Sequence, residues 1–193
     1  MGHESKRLFI AVDIDEMTRE QVGRISAGLR EAIGHTKASF VRQDRMHLTL
    51  HFFGSADTAL EARVRDTLAG PIAEPPFDVS FEGLGFFPER GSPRVLWLGV
   101  GAGLEQLRRL QRALVIRGER HAIPSQTGES FNPHLTLARF RDRVPRAKVA
   151  EIADIRASAG PARIDRVTLY ESRLSPAGPT YVPLAEALLK PSG

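Results

Sequence analysis

The stretch Met46-His47-Leu48-Thr49-Leu50-His51-Phe52-Phe53 sets polar residues 47, 49 and 51 between apolar 46, 48, 50 and 52. Residues two apart on a β-strand share a face. His47 and Thr49 therefore emerge together, His51 is expected beside them, and Leu48 and Leu50 turn to a core. The tetrad recurs 87 residues later as His134-Leu135-Thr136-Leu137, with the same alternation. Six histidines and nine threonines scattered over 193 residues give about 0.3 His-x-Thr triplets by chance. Two strands of this pattern laid side by side put two imidazoles and two hydroxyls on one cleft.

Such a cleft suits phosphoryl chemistry. Imidazole titrates near neutral pH, so one ring can accept a proton while another donates one. Attack on a phosphodiester needs both acts, from opposite sides of the phosphorus. Threonine hydroxyls can bond the non-bridging oxygens and hold the phosphate between the rings. The arrangement requires no metal, and no cofactor is expected. The residues alone do not say which histidine is acid and which is base.

Outward from the tetrads, strand-like and helix-like segments alternate. Strands are expected at 7–14, 39–43, 46–53 (closed by Gly54), 77–87, 94–100, 132–141, 163–174 and 180–188. Helices are expected at 15–33, 58–68, 103–120 and 147–155, the first opening near Asp15 or Thr18 and stopping at Gly34. The order is roughly duplicated, one tetrad in each half. The fold expected is α+β, a single bilobal domain over 1–193.

Composition narrows the partners. There is no cysteine, which excludes disulfides and thiolate chemistry. No apolar run reaches membrane-spanning length and the N-terminus lacks a secretory pattern, so a cytoplasmic protein with no membrane partner is expected. Of 27 basic residues, 23 are arginine, and the formal charge is +4. Arginine forks match phosphate geometry, which is compatible with a nucleotide or nucleic-acid partner.

The chain resembles the bacterial and archaeal RNA 2′,3′-cyclic phosphodiesterases, historically called 2′-5′ RNA ligases, of the 2H phosphoesterase superfamily. The two tetrads carry the resemblance. Softer matches are Arg7-Leu8-Phe9-Ile10-Ala11-Val12-Asp13, Met46 to Gly54, Arg94-Val95-Leu96-Trp97-Leu98-Gly99, Phe131 to Arg139, Val167 to Ser172, and Tyr181-Val182-Pro183-Leu184. It implies two similar lobes, with antiparallel sheets around a central cleft and helices outside. It implies hydrolysis of a terminal 2′,3′-cyclic phosphate on RNA to a 2′-phosphomonoester, and reverse joining through a 2′-5′ linkage. By carry-over, His47 would protonate the leaving 3′ oxygen, His134 would activate water, and Thr49 and Thr136 would bind the phosphate. Arg139 stands where this family usually carries an arginine, yet strict alternation turns it away from His134. A β-bulge or a side chain wrapping the strand end would be needed.

Phe53, Phe86, Phe87, Phe131 and Tyr181 are candidates for base stacking, with core packing as the commoner fate. Trp97, in Val-Leu-Trp-Leu, is expected in the core. His3, His35 and His121 fall in tail or loop contexts. Gly99-Val100-Gly101-Ala102-Gly103 is expected to be a plain strand-to-helix turn rather than a phosphate loop. Two other readings of the cleft stay open, a phosphodiesterase for a small cyclic nucleotide and a non-catalytic RNA- or nucleotide-binding module. The self-contained design suggests a monomer.

Overall fold

The computed structural model describes residues 5–123, 131–176 and 178–191. His3 and Ala177 lie outside them. The described elements run β1 (Lys6–Asp13), α1 (Glu16–Ile33), β2 (Ala38–Phe40), β3 (His47–Ala56), α2 (Thr58–Thr67), β4 (Phe77–Phe87), β5 (Val95–Val100), α3 (Leu104–Glu119), β6 (His134–Phe140), α4 (Arg146–Ala153), β7 (Ser158–Ile164), β8 (Arg166–Arg173) and β9 (Thr180–Leu188).

Local chemistry explains the helix ends. The Asp15 carboxylate accepts the Thr18 N–H at 2.8 Å to open α1, and Gly34 closes it at φ 61°. Val22, Ser26, Leu29 and Ile33 form its buried stripe. Asp57 caps α2 in the same way through Leu60. Leu107, Leu110 and Leu114 bury one face of α3.

Two antiparallel sheets result. One has the order β3-β1-β8-β9, the other β2-β6-β5-β4-β7. The tetrad strands β3 and β6 belong to different sheets and touch each other. Helices cover the outsides, but not in chain order. α1 leaves the first sheet and packs on β7 of the second, with α4 beside it, while α3 follows β5 of the second sheet and joins α2 behind β1 and β3 of the first. Leu48, Leu96, Leu98, Leu135 and Leu137 are fully buried behind the cleft. No described helix is long and apolar enough to cross a membrane.

Three expectations change. Residues 163–174 are not one strand but parts of two, β7 and β8, broken at Asp165; the Gly160-Pro161 pair hid the first half of β7, because neither residue carries a strand pattern. Gly54 does not end its strand, which runs to Ala56 in register with Lys6. Residues 39–43 divide into the short β2 and a 3-10 turn at Gln43–Arg45.

Candidate active site

Both tetrads contain the same irregularity. In β3, Ile10 faces His51 but Ala11 faces Thr49, so Leu50 is an extra residue. In β6, Leu96 faces Ala138 but Trp97 faces Thr136, so Leu137 is extra. Each is a β-bulge at the final leucine of the tetrad, setting two residues against one and turning two consecutive side chains inward. Leu50 and His51 are both buried, as are Leu137 and Ala138.

The bulges decide two residues. Beyond Leu137-Ala138 the alternation restarts a step late, and Arg139 joins His134 and Thr136 on the cleft wall. The bulge that strict alternation lacked is present. In β3 the same device removes His51 from the face of His47. It sits 8% exposed against Phe53, ring centroids 4.4 Å apart, with Ile10 and Leu114 nearby. His51 is therefore not a cleft residue, correcting the simple alternation. The residue matching Arg139 in the first tetrad is Phe52, so the arginine occurs on one side only.

One cavity of about 470 Å³ brings the tetrads together, lined by His47, Thr49, His134, Thr136 and Arg139. Arg45, Ser39, Arg141, Tyr181 and the β8–β9 turn at Ser175, Pro176, Gly178 and Pro179 also line it, as does Arg42. The two imidazoles are held alike. His47 Nδ1–H donates to the Arg45 carbonyl oxygen at 2.8 Å, and His134 Nδ1–H donates to that of Asn132 at 2.8 Å. A carbonyl can only accept, so each Nδ1 carries the proton and Nε2 is the atom left for chemistry.

Aromatic rings fix the planes. Phe9 stacks on His47 at 4.8 Å and Tyr181 meets it edge-on at 5.1 Å. Phe87 meets His134 edge-on at 5.0 Å, and Trp97 lies 6.0 Å from it. Trp97 is thus half-buried behind His134, not a core residue, because Leu96 and Leu98 already occupy the core face of β5. Its indole lies over Gly85, and its Nε1 is buried with no partner among the described residues. Phe86 is core, against Phe140, and Phe53 and Phe131 pack partly buried on it.

The surroundings distinguish the two rings. Burial is the main influence on both and pushes each below the ordinary histidine range. The accepting carbonyls act upward and Arg139 acts downward on both. On His47 the Asp13 carboxylate also acts upward. Asp13 is the register partner of His47, and its Oδ2 accepts the Tyr170 hydroxyl at 2.7 Å. Sequence reasoning missed Asp13, Phe9 and Arg141, which strand pairing brings to the site, and Arg45, which ends the 3-10 turn just before His47.

The glycine-rich 99–103 segment is a plain turn, as expected. Its N–H groups at Gly101 and Ala102 are spent on the Ser80 carbonyl and hydroxyl. His35 and His121 stand outside the cavity. No group of three or more His, Cys, Asp or Glu placed to hold a metal occurs among the described residues.

Two antiparallel sheets, each offering a His-x-Thr strand to one cleft, are the architecture of the 2H phosphoesterases. Residues 10–175 match the 2′-5′ RNA ligase superfamily, and the chain belongs to that family. It is 38% identical over 181 residues to an RNA 2′,3′-cyclic phosphodiesterase of Methanothermobacter thermautotrophicus, covering 91% of this chain and 94% of the relative. A protein of the same name from Archaeoglobus fulgidus is 35% identical, covering 91% and 96%. Among solved structures, TT0787 of Thermus thermophilus superposes with a TM-score of 0.76 at 26% identity, covering 97% of this chain and all of that one. Escherichia coli LigT complexed with 3′-AMP superposes at 0.73 and 27% identity, covering 96% and 98%.

Proposed function

We propose that the protein hydrolyses the 2′,3′-cyclic phosphate at an RNA end to a 2′-phosphomonoester, with His134 as base and His47 as acid. One observation carries this reading. Two imidazoles, each with Nδ1 tied to a carbonyl, share a cavity with two threonines and one arginine.

The chemistry follows from these groups. Neutral His134 takes a proton through Nε2 from water, whose oxygen attacks the phosphorus. The P–O3′ bond breaks, and the protonated His47 gives its Nε2 proton to the departing 3′ oxygen. Thr49 and Thr136 donate to the non-bridging oxygens, and Arg139 offsets the charge that builds there. The Asp13 carboxylate favours a proton on His47, which supports giving that ring the acid's part. Run backwards, the same groups would join RNA ends through a 2′-5′ linkage. One chain supplies both tetrads, which supports a monomer, and the reading carries with it a cytoplasmic enzyme.

The test is an oligoribonucleotide ending in a 2′,3′-cyclic phosphate, incubated with EDTA. Hydrolysis that survives chelation and leaves a 2′-phosphate is expected. A 3′-phosphate product would overturn the roles, and activity lost on chelation would overturn the metal-free mechanism. His47→Ala and His134→Ala should each remove turnover without changing the thermal melt.

A further inference from the structure

We propose that the β2–β6 end of the cleft is a second phosphate subsite, built by Arg141 and Ser39, that holds the phosphate on the 5′ side of the terminal nucleotide. The proposal rests on the reading above and adds how the protein tells an RNA end from a free cyclic nucleotide.

Arg141 follows the last residue of β6, yet it keeps strand geometry. Its N–H donates to the Lys37 carbonyl at 2.9 Å, extending the β2–β6 ladder by one step. It therefore stands on the same face as Arg139, about 6.6 Å further along. That interval is close to the separation of successive phosphates in a ribonucleotide chain. Across the bulge the cleft wall reads His134, Thr136, Arg139, Arg141, a row leading away from the reacting phosphate.

The second arginine is anchored and aimed. Its Nε donates to the Ser39 hydroxyl at 3.0 Å, and Ser39 is itself the register partner of Arg139. Both line the cavity. With Nε spent on serine, the two terminal nitrogens remain for a bidentate grip on an anion. Among the described residues no carboxylate pairs with Arg141, whereas nearby Arg42 is neutralised by Asp44 at 2.9 Å. A nucleoside cyclic phosphate with a free 5′ hydroxyl leaves this fork in water. A nucleotide carrying a 5′ phosphate, as every chain end does, fills it.

The experiment compares kcat/KM for adenosine 2′,3′-cyclic phosphate, its 5′-phosphorylated form and the dinucleotide ending in the same cyclic ester. The 5′ phosphate is expected to raise kcat/KM about 10- to 100-fold, mainly through KM, in both larger substrates. Arg141→Ala should collapse that ratio to within about threefold of one. Ser39→Ala should lower it in part, and Arg112→Ala on the outer face of α3 should leave it intact. Equal kcat/KM for all three substrates in the unmodified protein would overturn the subsite and leave the cyclic phosphodiesterase standing. So would Arg141→Ala lowering all three equally. No hydrolysis of any substrate would sink the activity and the subsite together.

Discussion

Gly85→Ala adds a single methyl group against Trp97, the ring behind His134, and its cost can be worked from contacts. Gly85 faces Trp97 across the β4–β5 ladder. A Cβ there would lie 2.1 Å from Cζ2 of the indole and 2.2 Å from Cη2. To reach an ordinary contact of 3.4 Å the ring must recede by about 1.3 Å. Phe87, 5.3 Å away on the same strand, blocks retreat along β4, so the ring moves toward His134. Overpacking of this kind costs roughly 1–3 kcal/mol. In a chain of this size that is a fall in Tm of roughly 2–12 °C. A displacement near 1 Å at an acid or base costs on the order of a hundredfold in rate, so turnover of a cyclic phosphate end should drop by about 10- to 100-fold. Thermal melts by circular dichroism read the first effect and single-turnover hydrolysis the second. Adding Trp97→Leu to Gly85→Ala should recover part of the lost Tm, because the two sites couple through one contact. An unchanged Tm and rate in Gly85→Ala would show that the indole does not brace His134.

Arg139→Ala should lower kcat/KM by about 10²–10³, with Arg139→Lys recovering only part, since a point charge does not replace a fork. The rate should follow a bell in pH, the high limb set by loss of the His47 proton and the low limb by protonation of His134. Asp13→Asn removes a charge that holds that proton, so the high limb should move to lower pH while the low limb stays; a shift of the low limb instead would reverse the two roles. Three histidines, 47, 51 and 134, are pushed down by burial. A histidine lowered in the fold binds fewer protons than in the unfolded chain, so stability is full above about pH 6.5 and is lost as pH falls through the folded values. His51→Leu should flatten that loss in urea unfolding between pH 7 and 5 without altering the pH–rate bell; an unchanged pH slope would show that His51 does not carry it.

The tetrads made the site legible because strand alternation is a strong constraint. It put His47 with Thr49 and His134 with Thr136, and the leucines behind them. It failed one residue later, at Leu50 and Leu137. A bulge leaves no mark in the pattern when both inward residues can be buried, and His51 is polar in sequence yet tolerates an apolar niche. Trp97 was misread for a different reason. A large aromatic among leucines suggests a core, but its parity placed it with Val95, on the other face. Arg141 and Asp13 acquire meaning only through strands far apart in the chain, Asp13 opposite His47 and Arg141 beside Ser39. The exchange of α1 and α3 between the sheets is a packing outcome that local periodicity does not encode.

That exchange makes a jaw-like motion hard to build. The chain passes from the first sheet to the second and back at α1, β3, β4, α3, β6 and β8, so the lobes are stitched together at many points. A hinge needs a few crossing strands that bend in concert, and here bending would shear α1 off β7 and α3 off the back of β1. The spacing between the two imidazoles is then set by the fold itself. The β8–β9 turn is set against the same frame, for the Gly178 backbone lies so close to the Arg45 guanidinium that a Cβ there would sit 2.7 Å from it.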